Sequence, residues 1–265
     1  MSQKPKSTFG HPDCYAKELG GCSHQISGEH YVSQAILRLV SKGEPSVLVR
    51  NLTFQKQASL EPKGIGKLVA KVLCDTHNRI LSPYDDSGRA LFSGMDQIDS
   101  GVGKIEETPA TIIVNGDGLE RWMLKTICGG LFSGNIPVSG GSMKGVGPPK
   151  EWLDILFADG KFSAGQGLYV RAGTPGVTFA TDPSVLKIEV ISDPDDVVIG
   201  LSVWIFNFEF ILVLASLPPQ LPEMLEYSQY RPKGIVVQGS SKRIQIAWHD
   251  GIAGDELVVK WLGRG

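Results

Sequence analysis

Leu73-Cys74-Asp75-Thr76-His77-Asn78-Arg79-Ile80-Leu81 is the stretch on which the reading of this chain turns. An apolar run, Leu68 to Leu73, leads into it. Cys74 and His77 are separated by two residues, so a helical turn starting here brings both side chains to one side, as in a metal knuckle. Upstream, Cys14 and Cys22 are separated by seven residues. Cys14, Cys22, Cys74 and His77 together are a Cys3His set, the four soft or borderline donors that zinc takes in a tetrahedron. Two such pairs joined from distant sequence predict a closed, structural site. The plain alternative is that Cys74 is a buried cysteine following an apolar run. His24 is a spare donor. Cys128 falls on an apolar helix face and reads as core.

The composition frames this site. The chain has 265 residues, 42% hydrophobic and 20% charged, enough for a packed core in one large domain or two small ones. A formal net charge of −2 excludes a globally basic coat, though not a local basic patch. Four cysteines are too few for a disulfide scaffold. The start, MSQKPKSTFGHPDC, shows no apolar signal run, and a cytoplasmic location is expected. Val197 to Ala215 is long and apolar enough to raise a membrane span. It carries Asn207 and Glu209, many β-branched and aromatic residues, and partial alternation, which predict two buried strands instead and no membrane partner.

The chain reads as two unlike parts, 1–100 and 101–265, with Ser100 to Pro109 as a linker. The first holds three cysteines and four histidines, with 12 Lys+Arg against 10 Asp+Glu. Val32, Ala35, Ile36, Leu39 and Val40 predict one helical face. Ser46 to Phe54 predicts a strand. Ser82-Pro83-Tyr84-Asp85 signals a further helix start. In the second part, Ile112 to Val114 predicts a strand. Asp117 and Glu120 have capping-box spacing for a helix that Gly129 ends. Glu151 to Ala158 predicts another helix. Short strand-like runs follow, GLYVRA, GVTFAT, LKIEVI, GIVVQG, RIQIAWH and ELVVKWL among them. They predict an α+β chain whose second part is mostly antiparallel sheet with two helices.

The string Cys22-Ser23-His24-Gln25-Ile26-Ser27-Gly28-Glu29-His30, followed by Leu73 to Asn78, resembles the HNH (ββα-metal) nuclease family in its zinc-bearing form. In that family an acid-His pair ends a strand, and a knuckle opens a helix with a polar residue after its last zinc ligand. Glu29-His30 and Cys74-x2-His77-Asn78 match these elements, with His77 where a cysteine is usual and Glu29 for the commoner aspartate. The likeness covers residues 14 to about 92. It implies an N-terminal HNH-like domain and hydrolysis of nucleic-acid phosphodiesters. His30 would be the general base, and a divalent Mg2+ or Mn2+ would be held by Glu29 and Asn78. The family's orienting asparagine has no counterpart in LVAKVLC, and Asn51 is a candidate replacement.

Asp85 and Asp86 are further candidate metal ligands, though capping and solvent suit them equally. Gly129 to Lys150 is glycine-rich but lacks the Walker pattern, which argues against an NTPase. Glu120-Arg121-Trp122 and Lys125 belong to an amphipathic helix with Trp122 in the core. Lys242, Arg243, Trp248 and His249 form a basic, aromatic strand edge. Lys63, Lys67, Lys71 and Arg79 are the local cations that a nucleic-acid partner would meet. The alternative to a nuclease is a catalytically inactive, zinc-stapled interaction module.

Overall fold

The computed structural model describes residues 8–30, 32–49, 61–101, 108–136, 143–172, 185–205, 208–215 and 225–260. In the first hundred residues, β1 (Glu29–His30), α1 (Gln34–Val40), β2 (Ser46–Val49), β3 (Glu61–Gly64), β4 (Val69–Ala70) and α2 (Asp75–Gly101) follow one another. β1 lies antiparallel to β4, with Glu29 opposite Ala70 and His30 opposite Val69. Two short antiparallel strands and the helix that follows them thus carry the knuckle.

α1 buries Ile36, Leu37 and Val40. Leu39, expected on that face, is 38% exposed, and Leu37 takes its place. α2 runs unbroken through Pro83, where a separate helix start was expected. The knuckle sets the start at Asp75, well before Ser82, and the Ser82 hydroxyl donates to the Asn78 carbonyl instead of capping. Its buried face holds Leu81, Leu91, Phe92, Met95 and Ile98. At Gly88 a Cβ would come within 2.7 Å of the Trp122 ring, so this helix and the next approach closely only because no side chain intervenes.

The second part adds β5 (Ala110–Asn115), α3 (Gly116–Ser133), α4 (Lys150–Phe157), β6 (Gly167–Ala172), β7 (Val185–Ser192), β8 (Val198–Ile205) and β9 (Phe208–Val213). It closes with β10 (Gln229–Tyr230), β11 (Pro232–Gln238), β12 (Lys242–Ala247) and β13 (Gly254–Lys260). α3 departs from expectation at both ends. Its cap is Asn115, whose side chain accepts from the Gly118 amide at 3.0 Å. Asp117 instead accepts from the His249 amide at 2.7 Å. The helix passes through Gly129 and ends at Gly134, which has φ 75°. At Gly130, Ile136 folds back against the helix, where a Cβ would meet Ile136 Cδ1 at 2.1 Å.

The larger sheet has the strand order β10-β6-β9-β8-β7-β2-β3, and a four-stranded sheet has the order β13-β11-β12-β5. Of the ten pairings, β11–β13, β12–β5 and β2–β7 are parallel and the other seven antiparallel. The chain is therefore α+β with four α-helices among the described residues and mainly antiparallel sheet. Val198–Ile205 and Phe208–Val213 pair as antiparallel strands, and every residue of β9 is buried. Glu209 is tolerated there because Arg171 and Ser202 bond its carboxylate. No described helix is long and apolar enough to cross a membrane.

Elements on both sides of residues 100–101 meet. β2 pairs with β7, and one buried cluster runs from Cys14 through Leu91 and Trp122 to Leu212. The expected strand over 176–181, Asn51, and parts of the linker and of the glycine-rich segment lie outside the described residues.

Candidate metal centre

Two backbone arrangements bring the Cys3His set together. The first is a loop folded on itself. The Cys22 amide donates to Phe9 O at 3.0 Å, and Gly20 and Gly21, at φ 67° and 71°, make the turn between the two cysteines. This loop is tied to the knuckle, because the Tyr15 amide donates to Val72 O at 2.9 Å. The second is the knuckle. Ile26 bridges Cys74 across a short antiparallel contact, and the Asn78 amide closes on Cys74 O at 2.9 Å, starting the helix that presents His77.

The result is a compact donor set. His77 Nδ1 lies 3.5 Å from Cys14 Sγ, 3.5 Å from Cys22 Sγ and 3.3 Å from Cys74 Sγ. All four donor atoms fall within 4.8 Å of one another, and all four residues are buried. A tetrahedral zinc with ordinary Zn–S and Zn–N bonds requires an S···N edge of about 3.5 Å. The cysteines are free thiols. The residues fit zinc, and with four protein donors a bound ion would have no open position, as structural ions do. The Phe157 ring of α4 stands edge-on to His77, with centroids 5.2 Å apart, and roofs the site. His24 is exposed and stacks on Phe9 instead. Cys128 is fully buried away from this set, as expected.

Without an ion, burial pushes the Cys14 thiol up to about 12. Burial also raises Cys22. At Cys74 burial acts in the same direction, but hydrogen bonds from His77 and Ser23 outweigh it and the thiol is lowered. A thiolate-preferring position at the helix start is where a metal knuckle needs one.

The three residues assigned to chemistry by resemblance are placed differently. Side chains of neighbouring strand residues point to opposite faces. Glu29 faces the helices, where its Oε1 lies 2.6 Å from Lys125 Nζ. Lys125, on α3, also bonds Asp85 Oδ2 of α2 at 2.6 Å and is only 2% exposed. Asn78 donates to Ser27 Oγ at 2.8 Å, and its own Oδ1 is buried without a hydrogen-bond partner. His30 turns the other way, and its Nε2 sits 3.2 Å from the Ile65 carbonyl. A carbonyl only accepts, so Nε2 carries the proton and Nδ1 keeps a basic lone pair. Burial lowers the His30 pKa from its ordinary 6.5, more than the Ile65 contact and Glu29 raise it, and Arg38 lowers it further.

The divalent ion that the resemblance implies does not fit these donors. Magnesium seeks six oxygens in near-octahedral array, several of them water. Here the one carboxylate expected to bind it is already bonded through Oε1 to a buried ammonium, and Asn78 offers only an amide oxygen. Asp85 is engaged by the same ammonium, and Asp86 pairs with Arg89 at the surface.

Sequence reasoning missed Lys125 and the Ile65 carbonyl. The signal for Lys125 was there, since α3 is apolar on nearly every side and a lysine inside such a helix must be paired. A backbone acceptor leaves no signal in side-chain letters. A second buried centre was also missed. Glu120 takes both Arg231 Nε and Nη2 at 2.8 Å, and Arg231 Nη1 reaches Asp250 at 2.7 Å. The basic strand edge is partly absorbed by it, because Trp248 lies under the Arg231 guanidinium at 5.0 Å. No family model matches the chain, and no curated protein or solved structure matches it either.

Proposed function

We propose that this protein is a zinc-stapled, HNH-like hydrolase of nucleic-acid phosphodiesters, with His30 as general base. The observation that carries the reading is the orientation of His30. It stands on a strand of a zinc-compatible knuckle, one tautomer is selected by the Ile65 carbonyl, and its pKa lies below 6.5. Near neutral pH the imidazole is neutral, with Nδ1 able to take a proton from water. The resulting hydroxide attacks phosphorus, one P–O ester bond breaks, and the leaving oxygen regains a proton from the imidazolium. Arg38 stands near enough to influence His30 and lines, with Arg89, a groove of about 520 Å³ between α1 and α2. Its guanidinium is suited to a phosphate. Lys67, Lys71 and Arg79 are exposed and free to meet the same backbone.

The second reading, an inactive zinc-stapled interaction module, is favoured by the ion pair between Glu29 and Lys125. Nicking of supercoiled DNA by the zinc-loaded chain, with Mg2+, with Mn2+ and with neither, decides between them. The hydrolase reading expects nicking that His30→Ala lowers by about 10²-fold or more. Equal nicking by both chains removes His30 as the base. No nicking by either leaves the interaction module.

A further inference from the structure

We infer that the Lys125 ammonium is the resident cation of the Glu29–Asp85 pocket, standing where the HNH-like resemblance puts a divalent ion. Three elements converge there, β1 with Glu29, α2 with Asp85 and α3 with Lys125. The ammonium is 2.6 Å from one oxygen of each carboxylate. Glu29 and Asp85 are 13% and 22% exposed at the side chain, so bulk water screens the contact little.

The pocket is richer in oxygen than one ammonium can satisfy. Asp85 Oδ1, on the same carboxylate, is buried without a partner. So are Asn78 Oδ1, two helical turns earlier on α2, and the hydroxyl of Tyr15, whose surroundings include both carboxylates. Two carboxylates facing one point, one of them with a second oxygen left unpartnered, are a hard-cation environment by donor type. The chain supplies the cation itself from α3. A divalent ion at Glu29 would sit within a few ångströms of a fixed positive charge that has nowhere to go, because Lys125 is enclosed by a helix buried on nearly every side. The Cys3His set is then left as the metal site of this region, and the neighbouring acidic site is closed to Mg2+ and Mn2+.

This inference rests on the resemblance only for the choice of Glu29, and its test does not require activity. Mn2+ binding to the full, zinc-loaded chain is followed by electron paramagnetic resonance. The native chain is expected to show no saturable Mn2+ uptake that depends on Glu29. Lys125→Met is expected to gain a site at least about tenfold tighter, as one unit of fixed charge is removed, and Lys125→Met with Glu29→Gln to lose it again. One Mn2+ per native chain, abolished by Glu29→Gln, overturns the inference. If Lys125→Met does not fold, the native chain and Glu29→Gln alone still decide. Nicking without Mn2+ uptake supports this inference and the hydrolase reading together. Absence of both ends only the hydrolase reading.

Discussion

Among the described residues, two buried polar centres, the Cys3His set and the Glu120–Arg231–Asp250 group, each fasten segments far apart in sequence, but they differ in what surrounds them. The Cys3His set sits among two-residue strands, a three-residue 3-10 turn, loops and the first turn of α2. The Glu120–Arg231–Asp250 centre lies between α3 and strands of both larger sheets, amid fully buried residues such as Leu168, Ile235 and Trp122. In the first region four donors fit for a metal stand beside a few long-range backbone hydrogen bonds, such as those of the Tyr15 amide to Val72 O and the Ser27 amide to Leu73 O. In the second, apolar burial already holds the elements, and the ion pair fixes how they meet. Small regions with little apolar surface recruit metals for this reason.

The largest expected effect separates the two regions directly. Structural zinc in small sites binds with an apparent free energy on the order of 10 kcal/mol, much of it folding energy. Chelation, or Cys74→Ser, is therefore expected to release the zinc and open β1, β4 and the loop from Cys14 to Cys22. Hydrogen exchange would show those amides losing protection while β8 and β9 keep theirs. Simultaneous loss in β8 and β9 would mean that the zinc holds the whole molecule, and the comparison would fail.

The second centre is expected to respond more modestly and without any change in zinc. Arg231→Met leaves Glu120, which is fully buried, with a lost partner, and breaking a buried pair costs about 3–5 kcal/mol. Burial already raises the Glu120 pKa against the pull of Arg231, so an unpaired Glu120 would take a proton and recover part of the loss. Arg231→Met with Glu120→Leu is expected to melt higher than Arg231→Met alone. A double variant that is worse than the single would show that the pair does more than satisfy itself.

How much was legible follows the same division. Cys74-x2-His77 and the distant cysteines could be read because metal donors are few and chemically distinctive. Val32 to Val40 and Ile112 to Val114 could be read because periodicity survives in single elements. Gly129 misled, since a glycine inside a buried helix serves close packing, here of Ile136 on Gly130, and not termination. Pro83 misled because the helix start is fixed by the knuckle. The Asp117–Glu120 spacing looked like a capping box, but each acid is committed to a segment over 100 residues away. The role of Glu29 was hidden for the same reason, as its partner on α3 is a tertiary fact.

A weaker effect tests the face of β1 that carries His30. Its pKa is lowered on folding, so the neutral form is the one that the fold accommodates. The contribution is present above the ordinary value of 6.5 and is lost as pH falls through the lowered value. Glu29 opposes this shift and Arg38 reinforces it. His30→Gln is expected to flatten the fall in melting temperature between pH 7 and pH 5 relative to the native chain. The Cys3His set is the same in both chains. Identical slopes would remove the case for a neutral, oriented imidazole.

The smallest effect asks which region touches a nucleic acid. The groove between α1 and α2 presents Arg38, whose charge acts on His30, whereas on β12 Arg243 is spent on Thr111 Oγ1 at 3.1 Å. Each phosphate contact contributes close to one unit to the slope of log affinity against log salt. Arg38→Ala is therefore expected to weaken duplex DNA binding only a few-fold near physiological salt, but to reduce that slope by about 1. Arg243→Ala is expected to change neither. Fluorescence anisotropy across a salt series reads both quantities, and it does so with His30→Ala as background, so cleavage does not interfere. If Arg243→Ala lowers the slope and Arg38→Ala does not, the phosphate backbone lies on the four-stranded sheet. The metal-held region would then be a brace for that surface, and His30 would face no substrate.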